Sequence, residues 1–116
     1  MSTLIDQIAP PVPPVLPRFA RLVVSRGPGM GTSFPLAGTN TTIGRRRDND
    51  VALCDSTVSG RHAEIRFDGQ KFVLVDVGSF NGTYVNRHPV DSIELADGDE
   101  VWIGRHRLMF LEAPAG

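Results

Sequence analysis

A chain of 116 residues, 41% hydrophobic and with a formal net charge of −1, is long enough to bury one modest core. It lacks the global positive field of a nucleic-acid binder, and no apolar run approaches the roughly 20 residues that span a bilayer. The single cysteine, Cys54, rules out an internal disulfide, and no Cys/His cluster has the spacing of metal ligands.

No basic stretch followed by an apolar one opens the chain, so no secretory leader is expected and the expected location is the cytoplasm. Residues 1–19 read as a tail. Pro10-Pro11-Val12-Pro13-Pro14-Val15-Leu16-Pro17 holds five of the nine prolines. Proline fixes φ and has no N–H, so the run is expected to be an extended polyproline II segment. It would act as a stiff linker, or as a ligand for an aromatic groove on another protein or on this one. The body is expected over residues 20–112, with 113–116 as a short C-terminal end.

The body is β throughout. Leu22-Val23-Val24-Ser25 is a strand, and Arg26-Gly27-Pro28-Gly29-Met30-Gly31 is a turn. Ser33-Phe34-Pro35-Leu36 follows as a strand that Pro35 confines to an edge. Thr41-Thr42-Ile43-Gly44 and Val51-Ala52-Leu53 come next. Ala63, Ile65 and Phe67 alternate with Glu64 and Arg66, as in a half-buried strand, and Asp68-Gly69 signals a hairpin. Phe72-Val73-Leu74-Val75 has no polar face and is expected to be central, with both faces buried. Thr83-Tyr84-Val85 with an Asn86-Arg87-His88 turn, then Val90, Ile93-Glu94-Leu95, Val101-Trp102-Ile103 and Leu108-Met109-Phe110-Leu111, complete the set. About ten short strands and no helical periodicity indicate a sandwich or barrel.

Three turns carry unusual polar residues: Gly44-Arg45-Arg46-Arg47-Asp48-Asn49-Asp50, Ser56-Thr57-Val58-Ser59-Gly60-Arg61-His62 and Gly78-Ser79-Phe80-Asn81-Gly82-Thr83. Gly44-Arg45, Ser59-x-x-His62 and Asn81-Gly82 stand in the order and spacing of the forkhead-associated (FHA) domain, which the chain resembles from about Ala20 to Leu111. Within that family, Asn81 to Leu111 is most similar to small actinobacterial regulators that bind enzymes of 2-oxoglutarate metabolism.

The resemblance implies an all-β, FHA-type sandwich of about eleven short strands whose loops at one end bind phosphothreonine peptides. It implies a binding module and not an enzyme, without a cofactor. Its partners would be phosphothreonine-containing proteins, among them a Ser/Thr protein kinase or its substrates, or a metabolic enzyme. Phosphothreonine carries about −1.5 to −2 charges at pH 7 and three acceptor oxygens. Arg45 offers a forked, charge-assisted donor, while Arg46 and Arg47 face water or steer acidic peptides. Ser59 offers a hydroxyl and Arg61 a second cation. Gly60 departs from the family's common polar or basic residue, which leaves its backbone N–H. Phe80 replaces a frequent threonine and would supply an apolar wall.

Asn81, and less directly Asn86, would pair with the peptide backbone. Gly44, His62 and Gly82 would support the site, His62 by hydrogen bonding the loop that carries Ser59. His88 and His106 read as surface residues. In the similar regulators a phosphorylated tail threonine occupies the domain's own site. This tail offers only Ser2 and Thr3, without paired threonines in an acidic setting, so that route is not expected here.

Three rival readings remain open at this level. Gly27-x-Gly29-x-Gly31 looks like a phosphate loop, but no helix follows it, and Asp97-Gly98-Asp99-Glu100 is too short for a calcium loop. Arg45-Arg46-Arg47 suggests nucleic acid, but Asp48 and Asp50 offset it. The third is a phosphate-independent adaptor that binds through a sandwich face or through the proline-rich tail.

Overall fold

The structure is a computed structural model that describes residues 18–114. The proline-rich segment and its proposed contacts lie outside the described residues. Within them the chain forms eleven strands: β1 Arg18–Arg26, β2 Ser33–Pro35, β3 Asn40–Gly44, β4 Val51–Ala52, β5 Ala63–Phe67, β6 Phe72–Asp76, β7 Thr83–Val85, β8 His88–Pro89, β9 Ser92–Glu94, β10 Glu100–Ile103 and β11 His106–Pro114. They make two sheets, one ordered β2-β1-β11-β10-β7-β8 and the other β4-β3-β5-β6-β9.

Alternation along each strand builds the sandwich. Leu22 and Val24 of β1, Val101 and Ile103 of β10, and Leu108 and Phe110 of β11 point inward from the larger sheet, and Ile43, Ala63, Ile65, Phe72 and Leu74 from the smaller. The Phe72 and Phe110 rings meet across the gap, 5.4 Å apart. The β1–β11 pairing, from Arg18↔Pro114 to Arg26↔Arg107, ties the two ends of the described chain into one ladder. Pro35 lies on β2 at a sheet edge, where its missing N–H leaves no ladder bond unmade.

Three expectations are corrected. β6 is not buried on both faces: Phe72 and Leu74 face the core, whereas Val73 and Val75 are only half-buried. Each sheet of a sandwich has a single inner face, so an all-apolar run need not mean two. Val90 is not a strand; the pairing falls on His88–Pro89, opposite Val85 and Tyr84. Asn86 and Arg87 between them both have positive φ, 49° and 71°, as a two-residue hairpin turn requires. Finally, His106 is buried. It starts β11 on the inward register of Leu108 and Phe110, and its Nδ1 lies 3.2 Å from the Ile103 carbonyl.

Candidate functional site

The β3–β4, β4–β5 and β6–β7 loops leave the sandwich at one end and are stitched together there. The Arg45 N–H donates to the Ser59 carbonyl at 2.9 Å, and the Arg46 N–H to the Gly60 carbonyl at 3.4 Å. Buried Asn49 strengthens this seam: its Nδ2 donates to the Arg46 and Gly60 carbonyls, both at 2.8 Å. Gly44 permits it. A Cβ at this position would sit on the Gly60 carbonyl oxygen and 2.8 Å from Asn49 Nδ2.

His62 joins the second loop to the third. It is fully buried. Its Nδ1 accepts the Ser59 N–H at 3.1 Å, and its Nε2 lies 2.8 Å from the Gly82 carbonyl. A carbonyl only accepts, so Nε2 carries the proton and the ring is neutral. Burial holds the His62 pKa below its ordinary value, although the Gly82 bond and the charge of Asp76 pull the other way.

Asp76, at the end of β6, organises the third loop. Its Oδ1 accepts the Gly78 and Ser79 N–H groups at 2.8 and 2.9 Å. Its Oδ2 accepts the Ser79 and Thr83 hydroxyls. Burial pushes its pKa up, but the bonds from Ser79, Thr83 and Gly78 outweigh burial and hold it below the ordinary value. Ser79 Oγ in turn accepts the Gly82 N–H at 2.9 Å. Gly82 itself has φ +85°, a conformation that residues with a Cβ resist.

With the loop so shaped, the Phe80 N–H donates to Ser59 Oγ at 2.9 Å, and Asn81 Nδ2 donates to the Thr57 carbonyl at 2.9 Å. Arg45, Ser59 and Asn81, separated by up to 36 positions in the sequence (81 − 45), therefore belong to one bonded surface. Several donors on it remain unspent. The Arg45 guanidinium is exposed and makes no hydrogen bond or ion pair among the described residues. Ser59 Oγ accepts from Phe80, so its own proton is available to donate. Asn81 keeps its Oδ1 and one N–H.

Other expected members are placed differently. Arg61 forks between Asn49 Oδ1 at 2.8 Å and Asp48 Oδ2 at 3.4 Å, so part of its charge is already met. Arg46 is exposed and pairs with Asp48. Its stem covers Gly60, where an added Cβ would come within 3.3 Å of Arg46 Cδ. Phe80 is 93% exposed, so it forms no enclosed wall and stands out beside the loop seam.

Asn86 is a correction: the structure does not bring it to this surface. It occupies the β7–β8 turn, where its Nδ2 donates to Asp99 Oδ1 and its Oδ1 accepts the Glu100 N–H, both at 3.0 Å. Its Oδ1 and one N–H brace the β9–β10 turn.

Sequence reasoning passed over Asn49, Asp76 and Thr57. Asp76 carried a readable signal, since an aspartate followed by Gly78 and Ser79 marks a side-chain-capped turn. Asn49 carried none, because two of its partners, the Gly60 carbonyl and the Arg61 guanidinium, arrive from a different loop. Among the described residues no cluster of His, Cys, Asp or Glu is arranged to hold a metal, and no helix is long and apolar enough to cross a membrane.

The FHA domain family model matches residues 41–104. The glycogen accumulation regulator GarA of Mycolicibacterium smegmatis is 59% identical over 95 residues, which are 82% of this chain and 60% of that protein. The oxoglutarate dehydrogenase inhibitor of Corynebacterium efficiens is 54% identical over 96 residues, 83% of this chain and 68% of that protein. The chain thus spans about 60% of the length of the GarA relatives it matches. Among solved structures, a chain from a study of phosphothreonine-dependent FHA domain interactions superposes with a TM-score of 0.77 at 38% identity, covering 83% of this chain and 98% of that one. Mycobacterium tuberculosis EmbR in complex with a low-affinity phosphopeptide superposes at 0.76 with 34% identity, covering 84% of this chain and 25% of that one.

Proposed function

This chain belongs to the FHA domain family, and from that premise we propose that it is a phosphothreonine-dependent interaction module that reads proteins phosphorylated by Ser/Thr kinases. The observation that carries the reading is the loop seam: it fixes Ser59 and Asn81 on one surface beside the unpaired Arg45 guanidinium. An exposed, unpaired cation whose backbone is tied into the seam, next to a free hydroxyl donor, suits a doubly charged phosphate far better than a neutral ligand. In this reading Arg45, Ser59 and the Gly60 N–H take the phosphate, and Arg61 adds positive potential from behind its bond to Asn49. Phe80 lies against the peptide, and Asn81 bonds its backbone. Gly44, His62 and Gly82 hold the loops.

The names of the relatives, a regulator of glycogen accumulation and an inhibitor of oxoglutarate dehydrogenase, support a metabolic enzyme as one partner. A Ser/Thr kinase or its substrates would be the source of phosphorylated ligands. The role is one of binding and regulation in the cytoplasm, with no chemical step of its own.

The test is a titration of a phosphothreonine peptide, its unphosphorylated twin and its phosphoserine twin. The chain is expected to bind the first and ignore the second. The phosphoserine peptide should bind several-fold more weakly, since one methyl group is worth about 1–3 kcal/mol in a fitted pocket. Arg45→Ala should cost about tenfold to a hundredfold, the scale of a lost charged hydrogen bond. Equal binding of phosphorylated and unphosphorylated peptides would reject the proposal.

A phosphate-independent contact is the second reading, favoured by the outer face of the larger sheet. Val23, Tyr84, Trp102 and Met109 lie there half-buried, with the Arg107 guanidinium 4.1 Å from the Trp102 ring centroid. A purified partner enzyme that still binds Arg45→Ala after phosphatase treatment, but not Trp102→Ser, would establish this mode.

A further inference from the structure

The β10–β11 turn reaches across to the β4–β5 loop at a point that the phosphate ligands do not use. Arg105, in that turn, grips Asp55 with two nitrogens: Nη2 pairs with Oδ1, and Nε reaches Oδ2 at 3.4 Å. The Asp55 side chain is only 9% exposed, while that of Arg105 is 62% exposed. Asp55 Oδ2 also accepts the Thr57 N–H at 3.0 Å and the Thr57 hydroxyl. The Thr57 hydroxyl oxygen accepts the Arg105 N–H at 3.0 Å. Gly104 makes the approach possible, because a Cβ there would strike Thr57 Oγ1 and crowd the Thr57 carbonyl.

Every polar atom of Thr57 thus has a partner. Its N–H and hydroxyl are held by Asp55 and Arg105, and its carbonyl receives Asn81 Nδ2 at 2.9 Å. Arg105 and Asp55 lie 50 positions apart, so the clasp closes a non-local ring around the loop that presents Ser59. The bond from Arg105, with those from Thr57, holds the Asp55 carboxyl well below the usual carboxylate range. The Arg105 charge is therefore already matched and is not left for a ligand.

We propose that Asp55 and Arg105 are positioning residues for Asn81: their clasp fixes the Thr57 carbonyl, and that carbonyl aims the Asn81 amide so that its Oδ1 and second N–H meet the peptide backbone. This rests on the phosphopeptide reading for its consequence in binding, but the orientation of Asn81 belongs to the free protein. It also separates two classes of arginine. Arg45 acts on phosphate directly, whereas Arg105 acts only through Asn81.

The experiment uses the full chain. In ligand-free protein, Arg105→Gln is expected to shift the side-chain amide resonance of Asn81 toward that of a solvent-exposed amide. Arg105→Lys, which keeps the charge but loses the fork, is expected to shift it less, and it serves if the glutamine variant does not fold. With a phosphothreonine peptide, Arg105→Gln should weaken binding about tenfold, within the range of coupling between contacting residues. The double variant with Asn81→Ala should be no weaker than Asn81→Ala alone. Affinity for free phosphothreonine, which offers little peptide backbone, should not change. An unmoved Asn81 resonance, a fully additive double variant, or an equal loss for free phosphothreonine would each overturn the proposal. If the wild-type chain ignores phosphorylated peptide, the phosphate reading falls, and the ligand-free resonance still decides this one.

Discussion

His62 shows how one side chain converts packing into a property that can be measured. Its neutral ring spends both nitrogens on the loops, accepting from Ser59 and donating to Gly82. Because burial lowers its folded-state pKa, the unfolded chain takes up a proton near the ordinary value of about 6.5 while the folded chain does not. The contribution of His62 to stability is therefore fully present above about pH 6.5 and is lost as the pH falls from there towards the lowered folded value. One proton gives a slope of at most about 1.4 kcal/mol per pH unit. Denaturant midpoints measured from pH 7.5 to 5 should fall in the wild type and fall less in His62→Phe. The depressed carboxyls of Asp55, Asp68 and Asp76 act in a separate window, since their stabilisation is lost only below the ordinary aspartate range. Equal slopes for the two proteins between pH 7 and 5.5 would remove His62 from this role.

Among the elements, the β6–β7 loop is the one whose shape depends on a single group. Four donors converge on Asp76, from Gly78, Ser79 and Thr83. Asp76→Ala strands them, and each donor left without a partner away from water costs about 1–3 kcal/mol. Water reaches part of this loop, so a total loss of about 2–4 kcal/mol is expected, read as a lower denaturant midpoint with an unchanged m-value. Phosphopeptide affinity should fall with it, because Phe80 and Asn81 lose their support. The strands paired with β6 and β7 were readable in the sequence: β5 falls where the alternation of Ala63-Glu64-Ile65-Arg66-Phe67 predicts it, and β10 on the apolar run Val101-Trp102-Ile103. Their surroundings were not readable. The apolar run of β6 looks the same whether its second face meets a helix or water, and His106 looks like a turn residue until the β11 register turns it inward.

At the scale of the whole molecule, a chain of net charge −1 places Arg45, Arg46, Arg47 and Arg61 on two adjoining loops, with Asp48 in their midst. On the proposed reading such a local field would steer a phosphorylated ligand over short distances, and salt screens it beyond about 8–10 Å at moderate ionic strength. Raising salt from about 0.05 to 0.5 M should weaken phosphopeptide binding several-fold, mainly through slower association in stopped-flow measurements. A salt-independent association rate would count against steering. The amino-acid order by itself determined the β class, most of the strand positions and the identity of the three polar turns, because alternation, glycine turns and motif spacing are local properties. Only the tertiary structure decided which of those residues meet. It joined Arg45, Ser59 and Asn81 in one seam, sent Asn86 to brace Asp99 and Glu100, and brought Asn49 and Arg105 into contacts that span 11 to 50 positions. Those contacts depend on two sheets closing over a common core, and no window of sequence contains both partners.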